Sequence, residues 1–222
     1  MRPTSLLPIG LNNLVVRVLL IRTFDSHFLP RSFFLRSTGY VARELLGCRL
    51  VRELNGDRLT GIIVETEAYI GEKDLACHAR VGKTQRTKVL YGPPGFTYVY
   101  FTYGMHWLLN VVTEREGFPA AVLIRAIQPL EGIESMQVRR GDKALPQLAN
   151  GPAKLTQAMG ISLKENGLDC CQSDSLIYIE KNAKMPRPSI VAAPRIGLGK
   201  TPEPWFSKPW RYLVKENKFV SK

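Results

Sequence analysis

The amino-acid sequence predicts an α+β fold, with a mainly antiparallel sheet and peripheral helices in one compact domain. Three observations favour it. Strand-like apolar runs follow one another through short turns, the helical segments are few and scattered, and neither a linker nor a repeat divides the 222 residues. A chain of this length can bury a sizeable core within a single domain. The order of the elements does not resemble the regular alternation of a doubly wound sheet.

The first predicted elements are a short helix and a β-hairpin. Ser37 or Thr38 can cap the helix, and Gly47 can end it. Asn55-Gly56, between two apolar runs, is typical of a tight hairpin turn. The apolar positions of the helix are Val41, Leu45 and Leu46, and the two strands are Cys48–Leu54 and Leu59–Glu65.

The rest of the chain combines extended runs with two further helices. Pro129 predicts the start of a helix that ends near Arg140. Asn150-Gly151-Pro152 is typical of a helix cap followed by proline in the first turn, and predicts a helix through Met159. The remaining strand-like runs are Phe96–Phe101, Trp107–Val112, Ala120–Ala126, Ile177–Ile179, Ser189–Ala193 and Tyr212–Val214.

The N-terminal residues are apolar but are broken by polar side chains. Asn12, Asn13 and Arg17 interrupt the run, and no small-residue cleavage site follows. A secretory signal needs an unbroken apolar segment, and a spanning helix needs about 20 such residues. We therefore expect residues 1–28 to be a disordered leader, or part of a longer N-terminal extension of the domain, and residues 29–218 to form the domain.

The charge balance is strongly basic. Lysine and arginine number 31 against 19 acidic residues, which gives a formal net charge of +12 and an isoelectric point near 9.7. Such an excess usually faces a polyanion, either nucleic acid or a membrane surface, although charge alone also fits a protein that is merely basic. The four cysteines form no Cys-x-x-Cys pair and two are adjacent, which favours a reducing, cytoplasmic location over a disulfide framework.

The stretch from Ala79 to Thr113 lacks acidic residues and combines cations with aromatic rings. Cations neutralise phosphates and aromatic faces stack on bases that have left the helix, so the pattern is typical of a nucleic-acid surface. Alternating rings in a strand also pack cores, and we expect about half of these rings to do so. The cations are Arg80, Lys83, Arg86 and Lys88, and the rings are Tyr91, Phe96, Tyr98, Tyr100, Phe101, Tyr103 and Trp107.

Glu65-Thr66-Glu67 ends an apolar strand. Residues two apart on a strand face the same way, so we expect both carboxylates on one side of the sheet. Such a pair can hold a metal ion, act as a glycosidase pair or lie on a solvated edge, and the segment alone favours the solvated edge. Tyr69 and His78 follow closely, which favours a functional role. The three histidines have no metal-ligand spacing, which argues against zinc.

Five sequence blocks occur in order between about residue 29 and residue 215. They are Val64-Glu65-Thr66-Glu67-Ala68-Tyr69 with His78; Tyr91-Gly92-Pro93-Pro94-Gly95 with Tyr98-Val99-Tyr100; Tyr103-Gly104-Met105-His106 with Asn110-Val111-Val112; Leu123-Ile124-Arg125-Ala126 with Pro129-Leu130-Glu131-Gly132; and Asn150-Gly151-Pro152-Ala153-Lys154-Leu155. Together they resemble the alkyladenine (3-methyladenine) DNA glycosylase family. The resemblance implies an enzyme that flips a damaged purine out of double-stranded DNA and cleaves its N-glycosidic bond, because that bond cannot be reached inside the duplex. It also implies a curved sheet and a β-hairpin that protrudes into the minor groove.

The resemblance assigns the reacting groups. Glu67 is implied as the general base that deprotonates the attacking water and faces the positive charge developing on the sugar. Arg125 is implied beside that water and the DNA backbone, and Glu65 serves as support or surface. No lysine matches a Schiff-base nucleophile, so we expect a monofunctional enzyme that uses water, needs no cofactor or metal, and leaves an abasic site.

The resemblance also assigns the base pocket. Tyr69, His78 and Tyr100 are implied to sandwich the flipped base, because alkylated purines are electron-poor and favour stacked π-faces. Asn110 is implied to collide with the 2-amino group of guanine and so to exclude it.

The remaining implied contacts are to the duplex. Tyr103 is implied to enter the minor groove and fill the gap left by the flipped nucleotide, with Leu90 as a second wedge beside it. We expect the partner to be double-stranded DNA that contains damaged purines, without a membrane, and the protein to be monomeric. The residues expected to contact phosphates are Arg80, Lys83, Arg86 and Lys154, although Lys154 also fits a solvated lysine.

Two other functions remain open at the level of sequence. A non-catalytic DNA- or RNA-binding module would keep the basic aromatic surface, but it would gain nothing from an anion at Glu67 that faces DNA. A carbohydrate glycosidase would use Glu65 and Glu67 as its pair, but a neutral sugar needs no basic surface.

Overall fold

The computed structural model describes residues 28–182 and 188–221, which form an eight-stranded sheet with helices around it. The α-helices are α1 (Arg31–Phe34), α2 (Thr38–Glu44), α3 (Ile133–Arg140) and α4 (Pro152–Ala158). The strands are β1 (Arg49–Leu54), β2 (Asp57–Ile70), β3 (Thr97–Thr102), β4 (His106–Val112), β5 (Ala120–Glu131), β6 (Ile177–Glu180), β7 (Ile190–Ala193) and β8 (Arg211–Val214). Short 3-10 helices cover His78–Val81, Lys88–Tyr91, Leu145–Gln147 and Leu163–Glu165. The predicted α+β class is confirmed.

The sheet has the order β3-β4-β5-β2-β1-β6, and β8 joins it at β2 and carries β7. Every pairing is antiparallel. One edge of β2 pairs with β5, and the other pairs first with β1, as far as Ile62, and then with β8 at Glu65–Glu67. Register shifts between Ile63 and Thr66 accompany this change of partner, and irregularities of this kind increase the local twist of a sheet. The acidic segment therefore lies where the central strand of the curled sheet exchanges neighbours.

β2 is longer and more deeply buried than the sequence predicts. It ends at Ile70 rather than Glu65, and ten successive residues, Leu59–Ala68, are buried. Glu65 and Glu67 are both 0% exposed. The interpretation of these carboxylates as a solvated strand edge is therefore wrong. Paired strands on both edges and packed elements on both faces exclude water from this part of β2, which a strand-end pattern does not reveal.

The predicted helix start at Pro129 is also wrong. Pro129 lies within β5, opposite Gly61 and beside a register shift, where a missing N–H is tolerated. Gly61 allows this close approach, because a Cβ there would lie 2.9 Å from the carbonyl oxygen of Gln128. The strand continues to Glu131, and α3 begins only after Gly132, whose φ of 71° turns the chain.

The start of α2 agrees with the sequence, but its cap is formed differently. Ser37 is the N-cap residue, yet its side chain makes no capping bond. The free N–H of Thr38 instead donates to the carboxylate of Glu114 at 2.7 Å, and the Thr38 hydroxyl donates to the same oxygen. A distant acid thus satisfies the helix end.

The core divides into a large cluster and two smaller ones. The large cluster packs α2 and α4 against the sheet, around side chains such as Leu45, Ile63 and Ile124. A second cluster includes Leu90 and Tyr98, and a third joins Phe219 to β2 and β5. Of the predicted leader, residues 1–27 lie outside the described residues. Within the described part of the chain, no helix is both long and apolar enough to cross a membrane.

Candidate active site

A cavity of about 440 Å³ opens beside the end of β2, within the range of about 300–1,000 Å³ usual for small-ligand pockets. Six further parts of the chain form its walls: the 3-10 helix at His78, the 3-10 helix that contains Leu90, the β3–β4 hairpin, β5, the start of α4 at Pro152, and the segment that contains Ile196 and Thr201. The sequence-predicted residues that line it are Tyr69, His78, Arg80, Leu90, Tyr100, Tyr103, Asn110 and Arg125. The fold therefore brings eight of the predicted site residues to one cavity.

Glu67 lies behind the inner wall of this cavity. Its Oε2 accepts a hydrogen bond from the Tyr69 hydroxyl at 2.7 Å, and its Oε1 accepts one from the Ile196 N–H at 2.8 Å. Arg125 Nη1 lies 3.1 Å from the same Oε1. All three partners line the cavity. A carboxylate offers about four acceptor positions, so this arrangement holds Glu67 in place and leaves acceptor capacity for a further proton donor.

Arg125 bridges the two carboxylates of the acidic segment. Its Nε donates to Glu65 Oε1 at 3.0 Å, while its Nη1 faces Glu67. Burial lowers the pKa of Arg125, but the charges of Glu67 and Glu65 outweigh burial and raise this pKa above its ordinary value. Arg125 therefore stays cationic and fixes the spacing of both acids.

Glu65 is a supporting carboxylate. Besides Arg125, it accepts bonds from Arg211 Nη1 at 3.0 Å and from the N–H and hydroxyl of Ser221 at 2.7 and 2.9 Å. With these four bonds and no exposed surface, and without a place among the residues that line the cavity, Glu65 is held away from a substrate. Of the two sequence interpretations, support and surface, the structure supports the first.

The three predicted stacking side chains, Tyr69, His78 and Tyr100, all line the cavity. His78 and Tyr100 meet edge to face, with ring centroids 4.4 Å apart and an interplanar angle of 77°. Burial, the nearby charge of Glu67 and the hydrogen bond between them raise the pKa of Tyr69, so its hydroxyl stays protonated and donates to Glu67. Flat π-faces and an ordered hydroxyl thus surround a space of the size and polarity that suit a planar heterocycle.

His78 is neutral at physiological pH. Burial, and then the charges of Arg86 and Arg80, lower its pKa from 6.5 to about 4. Its Nδ1 shares a hydrogen bond of 2.9 Å with the Tyr98 hydroxyl. The wall therefore presents an uncharged imidazole to the cavity.

The depressed pKa of His78 predicts a loss of stability in acid. Between about pH 6.5 and pH 4 the unfolded chain binds the proton that the folded chain does not, so the free energy of unfolding falls as pH falls, by up to about 3 kcal/mol. Thermal unfolding of the wild type and of His78→Gln across this range measures it. The glutamine variant should show a smaller decline, and equal declines in the two proteins would contradict the shifted pKa.

Asn110 lies on β4 at the back of the cavity, 4% exposed. Its Nδ2 donates to the carbonyl oxygen of Tyr98 on the paired strand at 3.0 Å. This bond satisfies a backbone group and also fixes the orientation of the amide, so the position of Asn110 is compatible with backbone support as well as with the predicted exclusion of guanine.

The comparisons with known proteins agree on one family. The methylpurine-DNA glycosylase family model matches residues 32–218. A Carboxydothermus hydrogenoformans protein assigned as a 3-methyladenine DNA glycosylase is 49% identical over 194 residues, covering 87% of this chain and 98% of its own length. Proteins with the same assignment from Methanocella arvoryzae and Clostridium perfringens are 49% and 47% identical and cover 87% of this chain and 96% and 98% of their own lengths.

The chain belongs to the methylpurine-DNA glycosylase family. It is a DNA glycosylase, a hydrolase of N-glycosidic bonds that serves DNA repair, and DNA is its substrate. The cavity described above is its candidate active site.

The β3–β4 hairpin of the glycosylase has an exposed aromatic tip. Thr102 pairs with His106, so residues 103–105 form the turn. Tyr103 adopts a left-handed conformation with φ of 51°, and its side chain is 76% exposed. Met105 beside it is 70% exposed. Tyr103 also lines the cavity, so an exposed ring stands at its edge.

Leu90 does not accompany Tyr103 at the tip. Its side chain is 2% exposed and belongs to the cluster that includes Tyr98 and Cys77. The 3-10 helix Lys88–Tyr91 turns Leu90 inward, where it lines the cavity. A wedge needs an exposed side chain, so its position argues against the predicted intercalating role and makes Leu90 part of the wall.

The cations expected to contact phosphates differ in position. Arg80, Lys83 and Arg86 are exposed, and the guanidinium of Arg86 lies 5.5 Å from the centroid of Tyr100. Arg80 lines the cavity of the glycosylase and Arg86 lies beside its Tyr100 ring, whereas the Lys83 ammonium lies 5.8 Å from the centroid of Tyr91, outside the cavity lining. Lys154 is partly buried in the first turn of α4, and its ammonium donates to Asn150 Oδ1 at 3.0 Å.

Sequence reasoning missed the polar residues that support the site from the C-terminal segment. Arg195 pairs with Asp74, Ile196 donates to Glu67, and Arg211 and Ser221 hold Glu65. These residues lie about 120–155 positions from their partners in the chain. Their spacing matches no sequence motif. The feature that could have pointed to them is an arginine next to an apolar, glycine-rich run, Arg195-Ile196-Gly197.

Proposed function

We propose that this glycosylase excises alkylated and deaminated purines, of the 3-methyladenine, 7-methylguanine and hypoxanthine type, from double-stranded DNA, and that a water activated by Glu67 leaves an abasic site. The observation that supports it most is a buried carboxylate, held by Arg125 and the Ile196 N–H, directly behind an aromatic cavity of small-ligand size.

In this mechanism water attacks C1′ of the flipped nucleotide as the N-glycosidic bond breaks. The base leaves with the electron pair of that bond, and Glu67 takes the proton from the water. The carboxylate also stabilises the positive charge that develops on the sugar. Among the described residues that line the cavity there is no lysine, which supports hydrolysis over a Schiff-base route. Excision would then occur without strand cleavage, as in a monofunctional enzyme.

A panel of duplexes, each with one damaged purine, tests the proposal. After incubation with the protein, alkaline cleavage of abasic sites measures excision of each lesion. We expect strand breaks at alkylated purines and at hypoxanthine only after the alkali step. Strand breaks before alkali would contradict the monofunctional mechanism, and intact strands with every lesion would contradict the proposed function.

We further propose that the hairpin tip enters the minor groove and that Tyr103 fills the space left by the flipped nucleotide. Insertion of an aromatic ring offsets the unstacking cost of a few kcal/mol. The exposure of Tyr103 at the edge of the cavity supports this role, and the cations Arg80, Lys83 and Arg86 would then neutralise phosphates along the same face. We propose that one protein chain binds one duplex through this surface.

Tyr103→Ser is expected to reduce excision without unfolding the protein. The ring is 76% exposed, so its removal should change the free energy of unfolding by no more than about 0.5 kcal/mol. Loss of the wedge should lower excision of a paired lesion by about tenfold or more. Melting temperature and excision rate measure both effects. Tyr103→Phe keeps the ring and serves as the control, and a fall in melting temperature of Tyr103→Ser comparable to that of a core truncation would refute the role.

Asn110→Ser is expected to admit guanine. Stacking cannot distinguish adenine-like from guanine-like bases, so discrimination must come from the purine edge, where the amide leaves no room for a 2-amino group. We expect the ratio of guanine to hypoxanthine excision to rise by about tenfold. Competition between the two duplexes measures that ratio. An equal fall for every lesion would show that Asn110 only satisfies the backbone of Tyr98.

A further inference from the structure

The segment from Pro194 to Arg211 lies along one edge of the tripeptide Glu67-Ala68-Tyr69, whose other edge pairs with β5. Ile196 N–H donates to the Glu67 carboxylate. The N–H of Ala68 donates to the carbonyl oxygen of Trp210 at 2.9 Å, and the Ala68 carbonyl accepts a bond from Arg195 Nη1 at 3.0 Å. The C-terminal segment therefore binds both the N–H and the carbonyl of Ala68, the residue between the candidate general base Glu67 and the stacking ring Tyr69.

Arg195 lies at the centre of these contacts. Its side chain is fully buried and forms two bonds to Asp74, of 2.6 and 2.9 Å. Asp74 in turn accepts the N–H groups of Ile70 and Ala76, so the ion pair is anchored to the loop that follows β2. Arg195 Nη2 also donates to the carbonyl oxygen of Trp205 at 3.2 Å. One guanidinium thus ties together the end of β2, the loop after it and the C-terminal segment.

The guanidinium of Arg195 also lies against aromatic rings. Its central carbon is 4.7 Å from the ring centroid of Tyr69 and 5.1 Å from that of Trp210. Beyond Trp210, the Lys208 ammonium lies 4.3 Å from the same ring and 3.9 Å from Trp205. Cations and rings therefore alternate from the cavity wall outward. Cation–π attraction increases when the cation is desolvated, so a buried Arg195 holds Tyr69 more firmly than a surface cation would.

We propose that Arg195 is a positioning residue of the excision reaction, which sets Glu67 and Tyr69 in one geometry through Ala68, Asp74 and the Tyr69 ring. The proposal rests on the proposed function. Arg195 does not line the cavity, so it acts through its neighbours. A displacement of about 1 Å at reacting groups costs about 10²-fold in rate, and loss of a partner that orients a functional group typically costs about 10–100-fold.

The Nε of Arg195 is buried and has no hydrogen-bond partner among the described residues, as is also true of Arg52 Nε. Buried unpaired donors are uncommon and call for an explanation. The guanidinium donates to both Asp74 oxygens and to the Ala68 carbonyl while it packs against the Tyr69 ring. This position leaves its Nε without an acceptor.

Substitution of Arg195 tests the proposal through the rate of a single turnover. Arg195→Lys keeps the charge but lacks the fork that reaches both Asp74 oxygens and Ala68 together, and Arg195→Met removes the charge as well. With enzyme in excess over a hypoxanthine duplex, we expect the excision rate to fall by about 10–100-fold, and further for methionine than for lysine. Affinity for the same duplex, measured in the Glu67→Gln background, should change by less than about threefold.

Arg52→Lys is the matched control. Arg52 is also a buried arginine, it pairs with Glu165 at 2.8 Å, and its Nε likewise lacks a partner among the described residues. It lies on β1 and does not line the cavity. Both lysine variants lose comparable buried bonds, so both should melt at lower temperature, but only Arg195→Lys should lose its excision rate. Each protein is assayed well below its own melting temperature.

The outcomes separate the possibilities. Wild-type-like excision by Arg195→Lys, or an equal loss in Arg52→Lys, would overturn the positioning role while leaving the proposed function in place. A wild type that excises no lesion would overturn both. If Arg195→Met does not fold, Arg195→Lys and Asp74→Asn test the proposal instead. The positioning role then requires that both variants lose excision rate and keep most of their affinity for the duplex.

Discussion

Glu67→Gln is expected to abolish nearly all excision while the protein still binds damaged DNA. Glutamine keeps the size of the side chain and can still accept bonds from Ile196 and Arg125, but its amide cannot take a proton from water. Removal of a general base costs about 10²–10⁴-fold, and loss of the negative charge that faces the sugar adds to this. Single-turnover excision and equilibrium binding to a hypoxanthine duplex measure the two effects separately.

Glu65→Gln is the matched control for Glu67→Gln. Both acids are 0% exposed and both contact Arg125, but the oxygens of Glu65 are occupied by Arg125, Arg211 and Ser221. We expect a lower melting temperature and a smaller loss of rate than at Glu67. Near-normal single-turnover excision by Glu67→Gln would show that another group activates the water, whatever the result at Glu65.

Phe219→Ala is expected to give a large loss of stability. Phe219 is 4% exposed and packs against Ile62, Val64 and Ala126. Removal of a buried phenylalanine costs about 3–5 kcal/mol, and about 2–4 °C of melting temperature per kcal/mol applies at this chain length. We therefore expect a fall of roughly 6–20 °C by thermal unfolding.

The stability change at Phe219 also bears on the site. Ser221, two residues further on, donates its N–H and hydroxyl to Glu65, so a loosened Phe219 releases one of the groups that hold the acidic segment. Phe206→Ala, in the same C-terminal segment but 49% exposed, is the control and should change stability by no more than about 0.5 kcal/mol. Equal melting temperatures for the two variants would show that the third core cluster contributes little.

Short-range sequence patterns predict the structure correctly where the local pattern determines it. The turn at Asn55-Gly56 joins β1 and β2, and a helix begins at Thr38 as predicted. The prediction at Pro129 is wrong because a proline that begins a helix and a proline beside a strand irregularity have the same local sequence pattern. The pairing of Pro129 with Gly61 shows that it belongs to β5. Burial of Glu65 and Glu67 likewise depends on partners that the segment itself does not contain.

The sequence by itself determined the α+β class, the basic aromatic surface and, through five ordered blocks, the family and the residues that face the cavity. These features are local in the chain, since spacing and residue type express them directly. Only the tertiary structure decided that Leu90 points inward, that Arg211 and Ser221 hold Glu65, and that Arg195 pairs with Asp74 and binds the Ala68 carbonyl beside Tyr69. The contacts of Glu65 and Arg195 join positions more than 100 residues apart, and a buried polar group takes whichever partner the fold brings near, because an unpaired one is costly. Periodicity and motif spacing therefore do not predict these contacts.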